Sequence, residues 1–136
     1  MRAIVVAGLA FAAVALLGAG LTGPGRLDRC VGTRMIETTL YFGMSSPDGM
    51  MYEEDWLAFR DSHIVPRFKE GFTLLRGEGH WQDPDTGFHA GEASRVLVRV
   101  HDGSDDGAFD DLIEVYKTRF KQKSVLRTDA QICAQF

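Results

Sequence analysis

The chain has only two cysteines, Cys30 and Cys133, so at most one internal disulfide can form. Positive charge is also short: 15 lysines and arginines stand against 19 acids, a formal charge of −4. A surface of that sign is a poor match for nucleic-acid phosphates or for an anionic membrane, both of which attract basic proteins. No serine sits in a Gly-x-Ser-x-Gly turn, and no glycine-rich loop opens a helix, because Gly77-x-Gly79 falls inside a strand pattern. These gaps exclude the serine-hydrolase elbow and the phosphate-cradling loop. Repeats and low-complexity stretches are missing too. An apolar share of 45% with 25% charged residues is that of one globular domain rather than a disordered chain.

One long apolar run is present, at the start. Residues 3–17 (AIVVAGLAFAAVALL) follow Arg2 and lead into Gly18-Ala19-Gly20, a small-x-small exit that a signal peptidase could cut. Residues 1–20 therefore read as an export signal to the periplasm or the medium. The alternative is a retained membrane anchor, since the run extends to Leu21, near the roughly 20 residues that span a bilayer. Cys30 is a poor lipid-attachment site, because the large cation Arg29 directly precedes it. Residues 21–32 (LTGPGRLDRCVG) carry Gly and Pro without periodicity and read as a linker. Cleavage after residue 20 removes Arg2 alone, leaving 14 basic residues against 19 acidic ones.

The domain then follows. Residues 34–42 (RMIETTLYF) alternate Ile36, Thr38, Leu40 and Phe42 against Met35, Glu37, Thr39 and Tyr41, the pattern of a half-buried strand. Ser45-Ser46-Pro47-Asp48-Gly49 is turn chemistry. Over residues 53–68, Trp56, Phe59, Ile64 and Phe68 recur at three- and four-residue steps, Glu53 to Asp55 crowd the start, and Pro66 ends or kinks the helix. Strands over 72–82 and 94–101 flank Pro84-Asp85-Thr86-Gly87 as a hairpin. The second helix is the clearest element, with Phe109, Leu112, Ile113, Tyr116 and Phe120 in register. Ser104 is its expected cap, Asp105, Asp106, Asp110 and Asp111 gather at its start, and Lys117, Arg119, Lys121 and Lys123 at its end. A last strand covers residues 124–129. The order β-α-β-β-α-β predicts an α+β, ferredoxin-like sandwich: a four-stranded antiparallel sheet with two helices on one face.

In that topology the start of the first strand lies beside the end of the last. Cys30 and Cys133 are thereby expected to form one structural disulfide in an exported protein, with a redox-active pair the alternative.

If the hairpin turn is centred on Asp85-Thr86, Gln82 faces His89, Arg76 faces Arg95, Leu75 faces Val96 and Leu74 faces Leu97. One face then carries Thr73, Leu75, Gly77, Gly79, Trp81, Val96, Val98 and Val100, and the expectation is that the helices cover it, with both Trp56 and Trp81 in the core. The other face carries Arg76, Glu78, His80, Gln82, His89, Arg95, Arg99 and His101, with Leu74 and Leu97 between them, and is expected to stay open together with Glu37, Thr39 and Tyr41. Three uses suit such a face: a solvated surface, a contact with another protomer's sheet, or a small-molecule pocket. His80 and His89 are near enough for two metal ligands but lack an obvious third, so no metal is assigned. Glu78 beside Arg76 or Arg95 reads as an ion pair, and His63 near Phe59 as a core-edge histidine.

Taken together, Thr39-Leu40-Tyr41-Phe42-Gly43, Trp56 with Phe59, Pro66-Arg67-Phe68, Gly79-His80-Trp81, Ser94-Arg95-Val96-Leu97, Tyr116-Lys117-Thr118-Arg119-Phe120 and Ser124-Val125-Leu126-Arg127 resemble a bacterial exported family known as domain of unknown function number 3574, over residues 37–136. The resemblance implies a small exported α+β domain and carries over no catalytic residue. Tyr52 stands where similar chains often have a helix-capping serine, and His80 where they have another polar residue.

The sequence thus leads to a non-catalytic binding or interaction module, not an enzyme, that uses the open sheet face through Tyr41, Arg76, Glu78, His80, Arg95 and Arg99. Its partners would be a second copy, an anionic small molecule or an acidic protein surface, without nucleic acid, cofactor or metal, and with membrane contact only through residues 1–21 if uncleaved. The alternative is a small enzyme or ligand pocket centred on Glu78 and His80.

Overall fold

The computed structural model describes residues 30–82 and 84–136; the expected export signal and most of the linker lie outside the described residues. Alternation produces β1 (Thr33–Gly43) with Thr38, Leu40 and Phe42 fully buried on one side. A two-residue ribbon, Ser45–Ser46 against Gly49–Met50, turns the chain into α1 (Glu53–Phe59), whose first turn holds Glu53, Glu54 and Asp55 at the positive end of the helix dipole. Its N-cap is Tyr52, which makes no side-chain cap bond. A π-helical turn, Arg60–Ile64, continues α1 and stops just before Pro66. Then come β2 (Thr73–Gln82), β3 (His89–His101), α2 (Asp106–Phe120) and β4 (Leu126–Ala134). The sheet order is β2-β3-β1-β4, antiparallel throughout, the ferredoxin-like arrangement that was expected.

Both helices pack on one face. Phe42 of β1 meets Trp56 of α1 at 5.5 Å and Tyr116 of α2 at 4.6 Å between ring centroids, and Phe59, Leu97, Phe109 and Leu112 belong to the same buried set. Cys30 and Cys133 are joined across the β1–β4 edge, 103 residues apart in sequence.

Several boundaries differ from the sequence reading, three of them with a clear cause. β3 begins at His89, five residues before the expected start, because its extra residues pair with Glu78 to Gln82 in an extended hairpin. β4 runs on to Ala134, held by pairing to Thr33 and by the disulfide. The N-cap of α2 is Asp105, and Ser104 gives its backbone N–H to Asp102 at 2.9 Å instead of capping.

The hairpin register is the expected one, yet its faces are reversed. Gln82 lies opposite His89, Arg76 opposite Arg95, and Leu75 opposite Val96. β3, however, also pairs with β1, so that Leu97 faces Leu40, Arg95 faces Phe42, Arg99 faces Thr38 and His101 faces Ile36. Cross-strand partners share a face. Leu40 and Phe42 belong to the core, so Arg95, Arg99 and His101 lie beneath the helices, at 9%, 5% and 3% exposure. Trp81, expected in the core, stands half exposed on the open face with Tyr41 and Leu75. A count of apolar residues favoured the valine side. Carboxylates reaching down from the helix side reverse that preference, because they neutralise arginines that apolar burial alone would reject.

A polar chain that runs from the buried Thr38 and His101 out to the exposed Asp129 ties the sheet to the end of β3. The Gly103 N–H donates to His101 Nδ1 at 3.1 Å, which leaves the proton on Nε2, facing Thr38 Oγ1 at 2.8 Å. The Thr38 hydroxyl donates to Asp129 Oδ1 at 2.5 Å. That bond, with help from Arg127, holds the Asp129 carboxyl below its ordinary 3.8. A carboxylate depressed by folding contributes stability that is complete above its unfolded pKa and is lost as pH falls through the folded one. Asp129→Asn should therefore be less stable than the parent at neutral pH but lose less as pH falls through the ordinary aspartate value of 3.8 and below it. Urea midpoints measured across that range check this; parallel acid limbs for the two proteins would contradict it.

Candidate functional site on the hairpin

The side chains singled out from the sequence do not share one surface. Tyr41 is on the open face, Arg76, Glu78 and His80 are on the helix side of β2, and Arg95 and Arg99 are buried. Arg99 is saturated. Its Nε pairs with Asp105, one terminal nitrogen donates to Gly71 O at 2.6 Å, the other reaches Glu70 at 3.3 Å, and its plane lies 5.5 Å from the Phe68 ring. Arg99 therefore fastens the start of α2 to the loop before β2.

Beyond the start of α1 the hairpin projects as a ledge. At its inner end Glu53 is shared by two guanidinium groups, binding Arg95 through Oε2 and Arg76 through Oε1 at 2.8 Å. The hydrogen bond from Arg95 first, and the charges of Arg95, Arg76 and Arg60 after it, hold the Glu53 carboxyl below its ordinary value. Two cations on one carboxylate leave an excess positive charge. Arg76 keeps three-quarters of its side chain in solvent, and Arg95 Nε is buried without an acceptor.

Further out, His80 Nε2 lies 3.0 Å from Glu78 Oε1, and the His80 ring stacks on His89 at 5.2 Å with a 14° tilt between planes. Gly91 makes this placement achievable, since a Cβ there would lie 3.1 Å from His80 Cε1. A neutral His80 that donates Nε2–H to Glu78 keeps Nδ1 as an open acceptor. The arrangement can hold an anionic group at Arg76 and accept a proton at His80. Tyr116 is no candidate acid, because burial, then the charge of Glu92, push its phenol far up.

One expectation is corrected here. Glu78 was assigned to Arg76 or Arg95, but Glu53 takes both arginines and Glu78 turns to His80. His80 and His89 are stacked rings, and among the described residues no three metal-ligating side chains converge. Sequence reasoning missed Glu53, read only as a dipole-matched acid, and Gly91. The available signal for Glu53 was an unpaired arginine on each strand of the hairpin. The ledge is open rather than enclosed, and a concave opening of about 340 Å³ lies elsewhere, against Glu114, Val115, Thr118 and Arg119 on α2.

In structure, the chain is similar to a phage SAM lyase in complex with S-methyl-5'-thioadenosine, with a TM-score of 0.55 at 18% identity, covering 74% of this chain and 83% of that one. The apo state of a phage SAM lyase aligns at a TM-score of 0.48 and 16% identity, over 78% of this chain and 94% of that one. No curated protein matches the chain. At such identity the likeness is one of fold. It still corrects the expectation of a non-catalytic interaction module, and with it the expectation that the chain is no enzyme, because this fold serves a lyase that holds a small molecule. The physical ground of that expectation is also gone, since Arg95 and Arg99 are buried and paired rather than displayed to a partner. Residues 37–136 match the model of DUF3574, described as a protein of unknown function, and the chain belongs to that family.

Proposed function

We propose that the protein binds a small carboxylated molecule on the hairpin ledge and acts on it by proton transfer. The observation that carries this reading is the single carboxylate of Glu53 shared between Arg76 and Arg95, at the head of a ledge that ends in the Glu78–His80 pair. Arg76 has free donors for a ligand carboxylate, and a charge-assisted, two-point contact fixes its orientation. The stacked His80–His89 rings offer a flat surface to a planar ligand. His80 Nδ1 then takes a proton from the bound molecule, while Glu78 holds the opposite N–H and stabilises the imidazolium that forms. The phage SAM lyase, which holds S-methyl-5'-thioadenosine, supports the general point that this fold can carry a small-molecule site.

Calorimetric titration with benzoate, a planar carboxylate, tests the binding half. Wild-type protein should bind it, and Arg76→Ala should weaken binding by about 10- to 100-fold, the loss of one charge-assisted contact of roughly 1.5–3 kcal/mol. Equal binding by the two proteins would remove Arg76 from the site.

A further inference from the structure

We infer that the open sheet face is the contact surface of a homodimer, with a second copy of this chain packed over it. This goes beyond the ledge reading and does not rest on it, because the ledge lies on the opposite side of the hairpin. Across the open face Leu75 pairs with Val96, Val96 with Tyr41, and Tyr41 with Leu126, so a single apolar rung crosses all four strands. Three of its members are exposed, Leu75 by 52%, Tyr41 by 41% and Leu126 by 59%, and Val96 between them is partly buried. Strand alternation places Glu37 and Glu92 on this face as its only charged strand residues, and no lysine or arginine of the four strands points there. A solvated antiparallel face alternates polar side chains outward; here Thr73, Ser94, Thr128 and the two glutamates only flank a continuous apolar rung.

The large side chains alone supply about half of the area that a second copy would cover. At ~200 Å² for a large side chain, Leu75, Tyr41, Leu126 and the 52% exposed Trp81 present about 400 Å². A stable interface takes about 800 Å² from each partner, and Val96, Val98, Val100 and the threonines between them extend the patch in that direction. Charge narrows the occupant. An acidic protein surface finds no cation to meet, a basic one finds only Glu37 and Glu92, and two acids without a cation disfavour an anionic bilayer. The partner must itself be flat, apolar and nearly uncharged, as this chain's own open face is, and self-complementary two-fold contacts are the commonest way in which soluble chains pair.

Sedimentation velocity on the full chain tests the inference, with Leu75→Lys/Leu126→Lys as the disrupting variant and Arg60→Ala as a control on the helix side. Wild type and control should sediment as dimers at low micromolar concentration, and the double variant should dissociate at least 100-fold more weakly associated. Association through residues 1–20 would be common to all three, so the difference reads the sheet face. Circular dichroism and urea unfolding confirm that the variant is folded; if it is not, Tyr41→Asp alone replaces it. A wild-type monomer at about 100 µM, or a variant that stays dimeric, overturns the inference. So does a wild-type monomer that binds phosphatidylcholine vesicles, which would assign the face to lipid. Benzoate titration of the Leu75→Lys/Leu126→Lys variant should be unchanged, which separates failure of the dimer from failure of the ledge.

Discussion

Arg99→Ala should lower the unfolding free energy by about 3–5 kcal/mol, the usual cost of breaking a buried ion pair from one side. The substitution leaves Asp105 without its cation, Gly71 O without a donor, and a gap beside Phe68. Arg76→Ala, on the exposed ledge one strand away, should shift stability by no more than about 0.5 kcal/mol. Urea denaturation of the two variants in parallel reads the contrast. Because the strand pattern alone put both arginines on one solvent-facing surface, similar small losses would restore that assignment and reverse the faces described above.

Replacing Cys30 and Cys133 together by serine should cost about 4–5 kcal/mol, from the release of a loop of about 100 residues in the unfolded chain. The native connection spans 103 residues and sits where β1 begins and β4 ends, so the pairs Thr33–Ala134 and Arg34–Cys133 should be the first to open. Urea midpoints with and without reductant give the magnitude, and amide exchange at residues 130–134 gives the location. A loss below about 1 kcal/mol would mean that pairing alone holds this edge.

What was legible in the sequence divides along physical lines. Element order, hairpin register and the disulfide follow from local alternation, turn chemistry and topology, and each is present in the structure. The choice of face is not local. It depends on which residues of β3 lie opposite Leu40 and Phe42 in β1, and on carboxylates such as Glu53 and Asp105 arriving from distant segments. Arginine made the difficulty acute, because its long apolar stem can be buried while its head reaches a partner several ångströms away. The same non-locality hid half of the candidate site. Glu78 and His80 were visible as neighbours on one strand, whereas the Glu53 bridge across Arg76 and Arg95, and the room left by Gly91, needed the helix and hairpin to be set against each other.

The most direct test of the ledge as a small-molecule site is an amide- and side-chain-resolved NMR titration of the protein with benzoate. Shifts should be confined to Glu53, residues 76–82 and 89–95 and the His80 ring, and all should be lost or strongly reduced in Arg76→Ala. Shifts centred on Tyr41 and Leu126, or none at a benzoate concentration of about 10 mM, a Kd that corresponds to less than 3 kcal/mol of binding, would contradict it.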